Sequence, residues 1–297
     1  MAVTVALLRL RQRRAVRQDP AARAAALFSR TYPRPAPVPA SLLKRYACTQ
    51  TTVAGLPVMR LTPRGTASGR HLIYTHGGAY VMPLVRPHWH VLDRMTRGTG
   101  VTLTVPLYRL APEGNVDEAY AFLMAVYRRT VREAGAENIT LAGDSAGGGL
   151  ALGQAVTCRD NGEKPPRDVV LFSPWVDITM ANPAIPALQK RDPTLLADLL
   201  AAAGTLWSAD QHDPREPLLS PLYADLHGLP PVHIFQGGRD ILSADVAKLA
   251  ALLDEADNRG SFRLAPGGFH VYVGAFWTPE ARTALRAVRG VLTALHP

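Results

Sequence analysis

Residues Asn138-Ile139-Thr140-Leu141-Ala142-Gly143-Asp144-Ser145-Ala146-Gly147-Gly148-Gly149-Leu150 constrain the fold of this chain more than any other stretch. A short apolar run reads as a buried strand, breaks at Gly143-x-Ser145-x-Gly147, and passes at once into an Ala/Leu/Gly-rich segment of helical character. Glycine on either side of Ser145 allows a turn too sharp for a β-carbon, which lifts the hydroxyl to the tip of the turn. The helix start aims its unpaired N–H groups and the positive end of its dipole at the same point. A strand delivered into a helix in this way belongs in a helix-covered parallel sheet, with Ser145 as a candidate nucleophile at the carboxyl end.

The rest of the chain alternates similarly. Strands are expected near His71–Thr75, Gly100–Pro106, Ile139–Ala142, Val169–Ser173, Val232–Gln236 and Phe262–Leu264. Helices are expected near His88–Arg97, Asp117–Ala134, Gly147–Asn161, Ala244–Asn258 and Pro279–Leu295. Tyr46–Thr51 and Val53–Leu61, with Ala54-Gly55 between or beside them, read as an antiparallel edge pair. The fold class is therefore α/β, a mainly parallel doubly wound sheet forming one domain over residues 46–297. A stretch over about 178–225 breaks the alternation. Its helical piece, Thr194–Trp207, presents Leu195, Leu196, Leu199, Leu200 and Trp207 on one apolar face, which suits either a lid over the carboxyl edge or an extra core-covering helix.

Charge separates an N-terminal arm from this domain. The formal net charge is +9, and residues 1–45 carry ten Lys/Arg against Asp19, so the remaining chain is balanced. A nucleic-acid enzyme would carry its basic face on the folded domain itself, and no zinc-finger or RNA-binding signature is present, so no nucleic-acid partner is expected. Thr4–Ser29 reads as a helix rich in Ala, Leu and Arg, followed by a polyproline-like connector over Thr31–Ala40. Val5, Leu8 and Leu10 could rest on an anionic membrane, but arginines surround the helix and leave no wide apolar face, so packing with the lid is expected instead. The apolar run Val3–Leu10 is too short to span a bilayer and lacks the basic lead of a signal peptide, which makes a cytoplasmic protein the default. Cys48 and Cys158 stand far apart outside any C-x-x-C pattern and are expected as reduced, buried thiols.

Three further loops carry chemistry. Leu72–Thr75 runs into His76-Gly77-Gly78-Ala79-Tyr80, where the glycines let the main chain approach a ligand. Gly77 and Gly78 N–H groups, with that of Ala146, are the expected oxyanion donors. His76, opening this loop, is expected to hold backbone rather than act as a base. Val232–Gln236 ends in Gly237-Gly238-Arg239-Asp240, and the strand ending at Leu264 is followed by Ala265-Pro266-Gly267-Gly268-Phe269-His270. Serine, acid and histidine thus occur in the order 145, 240, 270, each just after a strand. Asp177 and Asp245 compete with Asp240 for the acid role. No metal is expected, because His88-x-His90 is too sparse a ligand set.

The segments His76-Gly-Gly-Ala-Tyr80, Tyr108-Arg-Leu-Ala-Pro-Glu113, Gly143-Asp-Ser-Ala-Gly-Gly148, Ser173-Pro-Trp175, Leu219-Ser-Pro-Leu222, Gly228-Leu-Pro-Pro231 and His270 resemble the hormone-sensitive-lipase-like esterases, the bacterial family IV carboxylesterases, from about Tyr46 onward. The resemblance implies an α/β-hydrolase fold with a helical cap built from the N-terminus and the stretch after the sixth strand. It implies a carboxylic ester hydrolase (carboxylesterase or acetylesterase type) that uses no cofactor, with Ser145, Asp240 and His270 as catalytic triad. The substrate is expected to be a small ester of short to medium acyl chain, with Tyr80, Leu195, Leu199 and Trp207 lining the pocket. Since relatives often pair, a homodimer is an open expectation. Two departures stand out: Ala79 replaces a glycine common in relatives, and the loop between Glu113 and Tyr120 is short. An amidase, peptidase or lactonase would use the same residues, whereas a non-catalytic receptor on this fold would be expected to have lost His270.

Overall fold

The computed structural model describes residues 1–16, 34–209 and 212–294. Strands β1 (Tyr46–Val53), β2 (Leu56–Pro63), β3 (His71–Thr75), β4 (Thr102–Pro106), β5 (Ile139–Asp144), β6 (Asp168–Phe172), β7 (Val232–Gly237) and β8 (Ser261–Ala265) form one sheet in the order β1-β2-β4-β3-β5-β6-β7-β8. The pairs β1–β2 and β2–β4 are antiparallel and every later pair is parallel. Strands β3 to β6 are buried along their whole length, as parallel strands covered on both faces must be, and this explains their unbroken apolar runs. At the far edge, β8 is open: Phe262 is 42% and Leu264 51% exposed.

The helices are α1 (Ala2–Val16), α2 (Ala40–Leu43), α3 (Arg86–Met95), α4 (Val116–Ala134), α5 (Ala146–Asp160), α6 (Ile185–Gln189), α7 (Ala197–Ser208), α8 (Ser243–Glu255) and α9 (Pro279–Thr293). Capping fixes two of the starts: the Asn115 side chain accepts from Glu118 N–H ahead of α4, and Thr278 accepts from Ala281 N–H ahead of α9. Helices α4, α5 and α8 cover one core, with Phe122, Leu150 and Leu249, while α3 and α9 cover the other, with Trp89, Leu92 and Leu285. Alternate strand residues divide between the two, Ile73 to the first and Leu72 and Tyr74 to the second.

Differences from the sequence reading lie at the ends and in the short pieces. Strand β5 continues to Asp144, and α7 begins at Ala197, three residues after the expected start. Helices α2 and α6, of four and five residues, were too short to carry a periodic signal. The arm helix is seen over Ala2–Val16; its expected continuation to Ser29, the connector residues Thr31 to Pro33, and Leu295 fall outside the described residues. Arg34 to Pro39 have no regular structure, but Ala40, expected in the connector, opens α2. Val5 of α1 is buried, Trp277 Nε1 donates to Thr4 Oγ1 at 3.2 Å, and Arg9 donates to the Arg191 carbonyl at 3.2 Å. Cys158 is buried, which pushes its thiol to about 12, whereas Cys48 is only half-buried. Among the described residues no helix is long and apolar enough to cross a membrane.

Candidate active site

The Ser145 turn is built differently from the simplest reading of its glycines. Ser145 itself takes the left-handed conformation, with φ 51° and ψ −125°. Gly143 and Gly147 are needed for close approach: a β-carbon on Gly143 would lie 2.1 Å from the Gly147 carbonyl oxygen, and one on Gly147 would lie 2.1 Å from that of Thr75. A non-glycine residue held in the Ser145 conformation costs on the order of 1–3 kcal/mol, which the surrounding bonds must offset. Ser145 N–H donates to the Phe172 carbonyl at 2.9 Å, and the Ser145 carbonyl accepts from Trp175 N–H at 2.9 Å. The hydroxyl's carrier is thus fastened to the next strand and to the loop beyond it.

On the far side of β6, His270 Nδ1 lies 2.8 Å from Asp240 Oδ2, and Asp240 has no exposed surface. A carboxylate only accepts, so Nδ1 carries the proton and Nε2 is left as the basic nitrogen. Gln236 Nε2 donates to the same Oδ2 at 3.0 Å, and Leu242 N–H donates to Oδ1 at 2.9 Å, which fixes the acid. Burial works against a charged imidazole, but the Asp240 carboxylate at hydrogen-bond distance, with Asp192 and Asp144 further off, outweighs it and raises the His270 pKa above 6.5. Val271 N–H donates to Ser173 Oγ at 3.0 Å, tying the histidine loop to the end of β6 beside the Ser145 turn. Among the described residues no hydrogen bond joins Ser145 Oγ to the imidazole. The two competing acids are engaged elsewhere: Asp177 accepts from Thr179 and from Tyr223 Oη at 2.8 Å, and Asp245 accepts from Asn182 at 2.7 Å.

The loop after β3 has one donor already committed. Gly77 N–H donates to Asp144 Oδ1 at 3.0 Å, so it points into the protein. A β-carbon at Gly77 would stand 2.5 Å from Asp144 Oδ2, so glycine is what lets this loop lie against the Ser145 turn. Gly78, Ala79 and Tyr80 follow with φ 125°, 53° and 63°. The N–H groups of Gly78, Ala79 and Ala146 have no partner among the described residues. His76 Nδ1 donates to the Gly77 carbonyl at 2.7 Å, and its ring stacks on Tyr108; burial, with His88 beside it, lowers its pKa to about 4 and keeps it neutral. It therefore shapes the loop.

Asp144 is a site residue whose role the sequence did not announce. Tyr74 Oη donates to its Oδ1 at 2.6 Å, and His88 Nε2 lies 3.4 Å from its Oδ2. Val85 N–H donates to His88 Nδ1 at 2.9 Å, which puts the His88 proton on the Nε2 facing Asp144. Burial would raise the Asp144 pKa, but His88, Tyr74 and Gly77 together bring it down to about 2. Asp192 is the second such residue. It is 2% exposed, its Oδ2 accepts from Ile241 N–H at 2.8 Å, and its Oδ1 accepts from Thr194 and Leu195. One carboxylate thus joins the approach to α7 to the residue after Asp240. Its Asp-Pro-Thr setting signals a local turn, but nothing in the sequence marks a bond across 49 positions.

The four residues expected to line the pocket separate into two pairs. Tyr80 and Trp207 stack face to face at 4.4 Å, with Trp175 against Tyr80 at 5.3 Å, and all three rings are buried. They fasten α7 to the loop after β3 and offer no open wall, because each ring face is already covered. Leu195 and Leu199 are half-buried. Among the described residues no three His, Cys, Asp or Glu side chains gather into a group that would hold a metal ion.

Comparison with known proteins follows the same outline. A sequence profile described as the alpha/beta hydrolase fold matches residues 72–274. An esterase from Acinetobacter venetianus is 30% identical over 235 residues, covering 78% of both chains. An acetyl-hydrolase from Streptomyces hygroscopicus is 33% identical over 230 residues, covering 75% of each. The crystal structure of a hormone-sensitive lipase from a metagenome library aligns with a TM-score of 0.83 at 27% identity, over 98% of this chain and 97% of that one. With a profile match spanning most of the sheet and relatives alike over three quarters of their length, the chain belongs to the α/β-hydrolase superfamily, among its hormone-sensitive-lipase-like carboxylesterases.

Proposed function

We propose that this chain hydrolyses short- to medium-chain carboxylic esters through an acyl-enzyme on Ser145. The observation that carries the reading is the His270–Asp240 hydrogen bond of 2.8 Å, made by a fully buried acid, at the strand ends next to the strained Ser145 turn. His270 Nε2 accepts the Ser145 proton as Oγ attacks the carbonyl carbon, and Asp240 holds the tautomer and stabilises the imidazolium. The negative oxygen is received by the N–H groups of Gly78, Ala79 and Ala146, each donor being worth about 100- to 1000-fold in rate. Gly77, an expected donor, is instead the anchor of that loop through Asp144. The intermediate collapses, the alcohol leaves with the proton from His270, and water repeats the sequence to release the acid. These steps call for no cofactor. Residues 178–225 and α1 act as the lid, Leu195 and Leu199 forming its acyl wall and Tyr80 and Trp207 its attachment.

A fluorophosphonate probe should label one site and fail on Ser145→Ala, and turnover should peak on short esters in true solution. A Ser145→Ala protein that still labels and still cleaves activated esters would overturn the mechanism. Faster cleavage of matched amides than of esters would reassign the substrate class, and a jump in activity on emulsified long-chain triglyceride would make the enzyme a lipase.

A further inference from the structure

A cavity of about 410 Å³ lies between the end of α3 and one face of α9, away from Ser145, and its lining is unusual in charge. Arg94, Arg97, Arg282, Arg286 and Arg289 surround it, Phe276 and Leu285 supply its apolar part, and among the described residues no acidic side chain lines it. Arg282, Arg286 and Arg289 follow the i, i+4, i+7 spacing that puts them on one helical face. Leu285, Val288 and Leu292 anchor the buried side of the same helix, so the arginines cannot turn away without unpacking it. The Arg94 guanidinium sits over the Phe276 ring at 4.6 Å, and Arg289 donates to the Arg94 carbonyl at 2.8 Å, which orders two of the five. Arg97 reaches Asp93 at 3.4 Å, but Asp93 also pairs with Arg45. Arg282 and Arg286 have no ion pair among the described residues.

Five guanidinium groups around one concavity, four of them on exposed residues, concentrate positive potential there and favour an anionic occupant. The arginine fork fits the oxygens of a phosphate in a bidentate way, and a dianion answers this charge better than a carboxylate. The volume is that of a small-molecule site, and its apolar surface would be wasted on a bare inorganic ion. We propose that the α3–α9 cleft binds a phosphate monoester, the phosphoryl group held by Arg282 and Arg286 with Arg94 and Arg97 opposite, and its organic part resting on Phe276 and Leu285. This site is independent of the ester-hydrolysis reading. The phosphoryl group could belong to a soluble metabolite or to the headgroup of an anionic lipid, and both present the same oxygens.

The test uses the full chain and two probes: phenyl phosphate by titration calorimetry, and phosphatidylcholine vesicles carrying phosphatidic acid by co-sedimentation. The wild type should bind at least one probe in a salt-sensitive manner, and Arg282→Gln/Arg286→Gln should weaken that binding about 10- to 100-fold. Arg282→Lys/Arg286→Lys keeps the charge and the helix while removing the forks, and should fall between the two. Binding of phenyl phosphate alone identifies a soluble ligand, and binding of vesicles alone identifies the lipid headgroup. Arg132→Gln/Arg259→Gln removes equal charge outside the cleft and should leave binding intact. Failure of both probes to bind, or equal loss in the Arg132/Arg259 variant, would overturn the proposal.

Discussion

Asp192 receives hydrogen bonds from two segments that meet only in the folded chain, and its charge reaches the His270 imidazole. His270 must be unprotonated to take the Ser145 proton, and its pKa is raised, so kcat/KM should fall as the pH drops through a value above 6.5. Asp192→Asn removes one of the charges that raise it and should move this limb to lower pH; an unmoved limb with a lowered Tm would leave Asp192 a purely structural acceptor. The sign for stability is opposite. A histidine whose folded pKa is raised stabilises fully below its unfolded value and loses that contribution as pH rises through the folded value. For the acid itself, Asp240→Asn should lower kcat on the order of 10⁴-fold by mislocating the tautomer. Asp177→Asn, whose bonds hold the turn at Thr179 and join it to Tyr223, should lower Tm and leave single-turnover chemistry nearly intact; the reverse ranking would reassign the role. Ser145, Asp240 and His270 could be picked out as candidates from sequence because each follows a strand in a glycine-containing loop, and the fold pairs Asp240 with His270. The direction of the Gly77 N–H, the pairing of His88 with Asp144 and the reach of Asp192 could not, since each depends on where a distant segment lies.

The elements themselves were legible wherever burial left a clear period. Strands β3 and β5 to β7 show this because a strand covered on both faces must be apolar throughout, and α4 and α9 because one face must be. The helical piece after Thr194 was also legible, but not the purpose of its tryptophan. Trp207 looks like a pocket wall in sequence, yet it is spent on the stack with Tyr80, joining α7 to the loop that carries Gly78 and Ala79. Trp207→Ala should therefore cost about 3–5 kcal/mol in urea unfolding and impair turnover as well. Among the described residues the buried Trp207 ring nitrogen has no hydrogen-bond partner, so Trp207→Phe should cost far less, because the smaller ring leaves no polar group stranded. Equal losses in the two variants would mean that the indole itself, rather than an aromatic ring filling the stack, carries the contribution.

At the scale of the whole molecule, the arm is joined to both halves of the site's surroundings: Val5 enters the core beside the His270 loop, and Arg9 reaches Arg191, next to Asp192. A chain lacking residues 1–16 should stay folded but change its acyl-length profile, read from kcat/KM across an ester series. Unchanged kinetics, combined with loss of strong vesicle binding by the full chain, would make the arm a tether. The open edge at β8 has a separate consequence for the protein in concentrated solution. Among the described residues no strand pairs with its outer side, and Phe262 and Leu264 are exposed along it, a geometry onto which another extended chain can add. Mutual repulsion from a formal charge of +9, all of it carried by residues 1–45, holds copies apart, and Arg263 adds a local cation on the edge itself. Because that repulsion is screened within about 10 Å at 0.1 M salt, colloidal stability will be set by ionic strength well before the fold is threatened.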